Sequence, residues 1–274
     1  MRVARMGQAV GRRLGQAGWG LLELLMALFI GMFVLAGLFS LLYSLTQASS
    51  VQGNLAVLED NERVAMMALQ NVVETSGYLP QNFFFTTATA LPSITGALPP
   101  TASFAITGQF LSGLSASPNV SDAIGVRYVS GLAASGSDGV TDCVGHTYTT
   151  SATNGYPFTT EFYVDSTGTL NCYVIDQATG TPGVTYPIVS GLSTSAAAPG
   201  LQIKYGIDTT LSGTVNEYLP ASAMSGYWYN GSKSYVRSVV FTLNFVNPQY
   251  NSKSVGQPAT IPVSLTVFLL NSPT

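Results

Sequence analysis

Charged side chains are scarce in this 274-residue chain, at 8% of the residues, whereas soluble domains usually carry about a quarter. The charges are also unevenly placed, because Arg2, Arg5, Arg12 and Arg13 precede Gly18 and no acidic residue does. The chain has 10 basic residues in all, so the part after Gly18 has 10 − 4 = 6 basic and 13 acidic residues, a net charge of −7. The acidic balance excludes a basic nucleic-acid-binding surface. The low charge content, with abundant Gly, Ser, Thr, Tyr and Phe, favours a surface that packs against other proteins.

Histidine is nearly absent, which limits the chemistry that the chain can perform. A catalytic triad could use only His146, and no paired-histidine or C-x-x-C metal spacing is present. The sequence also lacks a G-x-S-x-G elbow, a Walker loop, a dinucleotide fingerprint and an H-E-x-x-H motif. Ser252 beside Lys253 could form a dyad, but such pairs are common on surfaces. The sequence therefore predicts no enzyme and no cofactor.

The chain does contain one long apolar run, which opens at Gly18-Trp19-Gly20-Leu21-Leu22-Glu23 and continues almost unbroken to Leu45. Residues 21–45 are long enough to cross a bilayer as a helix, and the basic flank before them favours an N-terminus in the cytoplasm. A carboxylate well inside such a helix costs roughly 2.5 to 3.5 kcal/mol on insertion scales. We therefore expect Glu23 to have a partner and a function.

This segment resembles the class III signal of type IV pilins and pseudopilins, in which a basic leader ends in Gly and Glu stands at the fifth position after it. Here Trp19 takes the place of the usual Phe. In that family a membrane prepilin peptidase cuts after the Gly and methylates the new N-terminus. The resemblance implies cleavage between Gly18 and Trp19, with residues 1–18 removed. The new amino group, with an ordinary pKa of about 7.7 to 8.0, could then pair with Glu23 within or between subunits.

Two other interpretations of the apolar run remain open. Glu23 could mark the edge of an uncleaved anchor, with its carboxylate reaching the lipid headgroups. Alternatively, the run could be a secretory signal cut near Ala48, although typical signal cores span about 7 to 15 residues.

The helical pattern continues beyond the anchor and predicts a helix that ends at Gly77. Residues 19–77 are thus expected to form an N-terminal helix, with a transmembrane part at 21–45 and an extracytoplasmic amphipathic half. The prediction is based on apolar residues that recur at helical spacing and form a stripe along one face: Leu55, Leu58, Ala65, Leu69 and Val72.

Residues 78–274 are expected to form an extracytoplasmic β-rich head. Runs of β-branched and aromatic residues predict strands at 123–129, 160–165, 169–175, 201–207, 236–246 and 260–270. A hairpin turn is predicted at residues 165–168, and residues 236–245 are expected to pair with 261–269. Residues 83–121 show no period and predict a long variable loop that covers the core or contacts another subunit. The fold class is α+β, with a long hydrophobic helix packed against a mostly antiparallel sheet.

Five motifs resemble those of the PilW-type minor pilins in the same order. They are LEDNERVA at 58–65, SDAIGVRY at 121–128, TDCVG at 141–145, LQIKYGID at 201–208 and VRSV at 236–239. The first departs from the family at Asp60 and Val64, which replace Glu and Phe. The resemblance implies a minor pilin of the bacterial inner membrane that primes type IV pilus assembly near the tip. Its partners would be the prepilin peptidase, other minor pilins and the major pilin.

Two alternative functions remain open: a type II secretion pseudopilin of the J type, and a tip adhesin whose Tyr- and Thr-rich head binds a ligand. The Asp142-Cys143 motif and the long variable loop favour the pilus over the secretion system.

Cys143 and Cys172 are the only cysteines, and in an extracytoplasmic domain two cysteines most often pair. A disulfide is therefore predicted, worth about 3 to 4 kcal/mol in the chain-entropy model. His146 is expected to be a loop histidine. The resembling family often has an Asp-rich loop at residues 208–217 that looks able to bind calcium. Only Asp208 and Glu217 keep carboxylates there, so they are weak metal candidates.

Overall fold

The computed structural model describes residues 20–80, 90–94, 103–116, 120–130, 139–146, 156–176, 183–250 and 256–271. The chain divides into two compact units, residues 1–53 and 54–274. The elements are α1 (Leu21–Glu74), β1 (Leu111–Leu114), β2 (Ala123–Ser130), β3 (Tyr156–Val164), β4 (Leu170–Asp176), β5 (Val184–Val189), β6 (Thr194–Ser195), β7 (Ala198–Pro199), β8 (Leu201–Ile207), β9 (Glu217–Leu219), a 3₁₀ turn (Ala221–Ala223), β10 (Val236–Val246) and β11 (Thr260–Phe268).

Helix α1 is a single helix of 54 residues that belongs to both units. Its N-terminal half contains an 18-residue stretch with a mean hydropathy of 2.5 and no buried residue. This length and composition are compatible with a single-pass membrane anchor. The predicted amphipathic stripe is confirmed for Ala65, Leu69 and Val72, which are buried, whereas Leu55 and Leu58 are only half-buried. The buried residues are Ala65, Ala68, Leu69, Val72 and Val73.

The end of α1 is set by local hydrogen bonds and a glycine. The hydroxyl of Thr75 donates to the Val72 carbonyl at 2.7 Å, and the Ser76 N–H donates to the Val73 carbonyl at 3.1 Å. Gly77 then takes a φ of 73°, which favours glycine because other residues have a Cβ that clashes there. The α-helix therefore ends at Glu74, and a turn leads to Gly77, where the sequence predicts the end.

The described part of the head contains two large antiparallel sheets and a small one formed by β6 and β7. The five-stranded sheet has the order β1-β2-β3-β4-β5, and the four-stranded sheet has the order β11-β10-β8-β9. The predicted pairing of the last two strands is confirmed, with Ser238 opposite Phe268 and Val246 opposite Thr260. The predicted fold class is confirmed as well.

The predicted hairpin turn at residues 165–168 connects β3 and β4. The Asp165 carboxylate accepts the N–H groups of Thr167 and Thr169 at 2.8 and 3.1 Å. Burial tends to raise the pKa of Asp165, but these bonds, with those from the Thr167 hydroxyl and Asn171, lower it overall. The aspartate thus fixes the turn that sets the register of the two strands.

The core is formed by the inner faces of both sheets and the buried stripe of α1. Within it, the Tyr128 and Phe158 rings stack with centroids 5.8 Å apart. A fully buried cation, Arg127, lies 5.0 Å from the Phe104 ring centroid, and its Nη1 donates to the Gln109 carbonyl at 3.1 Å. Burial lowers the pKa of Arg127 to about 10, so the guanidinium stays charged at neutral pH.

Residues 83–121 are only partly a loop. Strand β1 lies within this range, and Ile94 forms an antiparallel bridge with Phe104. Residues 83–89, 95–102 and 117–119 lie outside the described residues. The sequence LSGL of β1 gave no strand prediction because it is short and lacks β-branched residues.

Strand β5 was also missed, and β3 begins four residues before its predicted start. Pro187 interrupts the β5 pattern, and it is tolerated because β5 is an edge strand with a register shift beside it.

Candidate functional sites

The predicted processing site, Gly18 and Trp19, lies outside the described residues. Glu23 lies in the first turn of α1, where its N–H donates to the Gly20 carbonyl at 2.9 Å. A carboxylate at this end of a helix is favoured by the positive end of the helix dipole. Among the described residues, Glu23 forms no ion pair. Its neighbours Leu21 and Leu22 are more than three-quarters exposed, which is compatible with a membrane anchor in this part of α1.

The disulfide between Cys143 and Cys172 is present, with 29 residues of sequence separation and Cα atoms 6.5 Å apart. Cys172 is fully buried on β4, opposite Phe162 of β3 and Tyr186 of β5. Cys143 is half-buried in the segment 139–146. The bond therefore attaches this segment to β4, an interior strand of the five-stranded sheet.

Asp142, beside the disulfide, organises the same segment. Its Oδ1 accepts the N–H groups of Val144 and His146 at 3.0 and 2.9 Å, and its Oδ2 lies 3.2 Å from His146 Nδ1. The His146 ring also meets the Tyr186 ring edge-on at 5.8 Å. His146 is a loop residue, as predicted.

Asp208 and Arg237 come from two of the motifs that resemble the pilin family, and the fold brings them together. Arg237 Nε lies 3.5 Å from Asp208 Oδ2, and both side chains are buried. Asp208 also accepts the N–H groups of Ser212 and Gly213 at 3.0 and 2.6 Å and the Thr210 hydroxyl at 3.1 Å. Burial tends to raise the pKa of Asp208, but these bonds and the guanidinium lower it to about 2.

The surroundings of Asp208 give calcium binding no support. Calcium requires six to eight oxygen ligands, whereas Asp208 is met by N–H groups, hydroxyls and a guanidinium. Glu217 is exposed on β9. Over the described residues, no group of three His, Cys, Asp or Glu side chains is placed to hold a metal ion.

Asp122 has a structural role that the sequence motif did not reveal. Its Oδ1 accepts the Ala116 N–H at 2.9 Å, and its Oδ2 accepts the Ile203 N–H at 2.7 Å. The Ser121 hydroxyl oxygen accepts the Leu201 N–H at 3.3 Å. The Ser-Asp pair therefore joins the start of β2 to β8 of the other sheet.

A cleft of about 570 Å³ lies at the C-terminal end of α1. We call it the helix-end cleft. Its walls are the last turn of α1 with Tyr78, residues 139–141 of the disulfide-bonded segment, and Leu270 and Asn271 after β11. Glu74 is the one charged residue among those that line it. A smaller groove, of about 200 Å³, lies between residues 54–61 of α1 and the end of β10.

Comparison with known proteins identifies no relative. No family of known proteins matches the chain, and no curated protein or solved structure is significantly similar to it.

Proposed function

We propose that the protein is a minor pilin that helps prime type IV pilus assembly near the pilus tip and acts by helix packing and head contacts. The observation that carries the proposal is helix α1: an exposed apolar half with one carboxylate in its first turn continues as one helix into the core of a β-rich head. Such a helix can be held by lipid before assembly and by neighbouring helices afterwards.

Glu23 is the residue on which the mechanism depends. After cleavage at Gly18, the chain would begin at Trp19 with a largely cationic amino group. Leaving an anion and a cation unpaired in an apolar environment is unfavourable, so pairing them draws the helix toward its neighbours. Leader removal would thereby supply the partner that Glu23 lacks among the described residues.

The precursor would be a single-pass protein of the bacterial inner membrane, with residues 1–18 in the cytoplasm and the head outside. It would be processed by the prepilin peptidase and then assemble with other minor pilins and the major pilin. The function requires no cofactor and no catalysis, because the chemistry belongs to the peptidase and the work of the subunit is association.

The N-terminus of the membrane-extracted protein tests the proposal. Mass spectrometry should find a start at N-methylated Trp19 in cells that have the prepilin peptidase and an intact Met1 in cells that lack it. An intact N-terminus in both strains would contradict the pilin assignment and would favour an anchored envelope protein whose head binds a ligand.

Changing Glu23 to Ala tests the pairing itself. The variant should still insert into the membrane, since it becomes more apolar, but its amount in sheared pili should fall. Glu59→Ala is the matched control, because Glu59 is an exposed carboxylate farther along the same helix. Equal incorporation of wild type and Glu23→Ala would refute the pairing argument.

A further inference from the structure

We propose that the helix-end cleft binds a lysine side chain of another pilin subunit, with Glu74 as its counter-ion. The inference rests on the proposed function, because it takes the partner to be a neighbouring subunit. It adds a specific contact in the head to the pairing at the other end of the helix.

The placement of Glu74 is unfavourable within the subunit alone. A carboxylate in the last turn of a helix faces the negative end of the helix dipole. No basic residue lies in the last turn of α1, and no described residue forms an ion pair with Glu74. Asn271 Nδ2 donates to the Glu74 carbonyl at 3.3 Å, which holds the wall of the cleft but leaves the carboxylate charge unbalanced.

The shape of the site favours lysine over arginine. Gln70 Nε2 already donates to Glu74 Oε1 at 2.8 Å, so a guanidinium that needs both carboxylate oxygens would have to displace it. An ammonium group can bind Oε2 alone. Leu270, which is 73% exposed, offers an apolar wall on which the methylene groups of a lysine can pack.

The cleft also has the size and rigidity of a binding site. Its volume of about 570 Å³ lies within the range of about 300 to 1,000 Å³ that is usual for ligand pockets. Residues 139–141 form one wall, and this wall precedes Cys143, which is fixed to β4 by the disulfide. The disulfide therefore holds one side of the cleft in place.

Carbodiimide cross-linking of the full-length protein in sheared pili and in membranes tests the proposal. This reagent joins a carboxylate to a nearby amine as an amide, so Glu74 should be linked to a lysine of a different pilin protein. The link should be absent in Glu74→Gln and kept in Glu59→Gln. A link to a lysine of the same chain, or no link at Glu74, would overturn the proposal.

A second measurement separates binding from folding. Glu74→Gln keeps an oxygen acceptor for Gln70 and removes the unfavourable charge, so its melting temperature should equal or exceed that of the wild type. Its incorporation into pili should nevertheless fall about five- to thirty-fold, as expected for a lost contact of ordinary strength. Unchanged incorporation, or a fall matched by a lower melting temperature, would refute the role assigned to Glu74.

The two proposals fail in different ways. If the wild type keeps its Met1 and is absent from pili, the proposed function is wrong, whereas the cross-link in membranes still decides whether Glu74 meets a lysine of a partner. If processing and incorporation are normal but the link is missing, only the cleft assignment falls.

Discussion

Breaking the disulfide should destabilise the head by an amount that the structure allows us to estimate. The bond closes a loop across 29 residues of separation, for which the chain-entropy model gives about 3.6 kcal/mol at 25 °C. Both ends are held in the folded state, because Cys172 is buried in β4 and the segment of Cys143 is fixed by Asp142. Removing the bond therefore raises the conformational entropy of the unfolded chain much more than that of the folded head.

Thermal unfolding of the full-length protein in detergent measures this effect. For a domain of about 150 to 250 residues, 1 kcal/mol corresponds to about 2 to 4 °C, so reduction should lower the melting temperature by roughly 7 to 14 °C. The double variant Cys143→Ser/Cys172→Ser should melt in the same lowered range. Adding reductant to that variant is the control and should change nothing.

If two free thiols are titrated after reduction and the melting temperature is unchanged, the disulfide does not stabilise the head as estimated. In that case the hydrogen bonds of Asp142 would hold residues 139–146 without the bond. Hydrogen exchange gives an independent check, because the amide groups of Val140 and Thr141 should exchange faster only if the disulfide holds this wall.

Two further perturbations probe the packing and the electrostatics of the head. Gly113→Ala should destabilise the head by about 1 to 3 kcal/mol, because the added methyl group would overlap the buried Tyr205 hydroxyl. In this variant, the second change Tyr205→Phe should restore part of the lost stability. Gly53→Ala is the control and should not destabilise the protein, because the space around Gly53 is open. A Gly113→Ala variant as stable as the wild type in urea would contradict the packing. The pKa of Asp208 is lowered to about 2 from an ordinary value of about 3.9. Its ionised form therefore stabilises the fold above about pH 4, and this stabilisation is lost as the pH falls toward 2. The urea midpoint of the wild type should therefore fall more steeply over this window than that of Asp208→Asn, and parallel curves would refute the assignment. EDTA should leave the melting temperature unchanged, since Arg237 and N–H groups already surround this carboxylate.

The long elements could be predicted because their patterns are local. The apolar run and the stripe from Leu55 to Val72 define α1 without reference to the rest of the chain, and β10 and β11 are long enough to show their β-branched character. Strands β1 and β5 could not be found in this way. Strand β1 is short and has no β-branched residue, and Pro187 interrupts the otherwise strand-forming sequence of β5.

The sites were less accessible to sequence reasoning because they join distant residues. The pairing of Asp208 with Arg237 depends on the register of β8 and β10, and the contact of Asp122 with Ile203 joins the two sheets. The helix-end cleft brings together residues near 74, 140 and 270. By contrast, the pairing of Cys143 with Cys172 was predictable, since no other cysteine is available.

Because charged side chains are scarce in this chain, its few carboxylates can be assigned to the contacts that they make. Four aspartates of the head, at positions 122, 142, 165 and 208, each accept backbone N–H groups of their own chain and so serve the fold itself. Among the described residues, Glu23 and Glu74 accept no backbone N–H and form no ion pair. One lies in the first turn of α1 and the other in its last turn. Glu59, Asp60, Glu62 and Glu217 likewise form no ion pair among the described residues, so what distinguishes Glu23 and Glu74 is their place at the two ends of one helix, where we propose that other subunits complete their contacts.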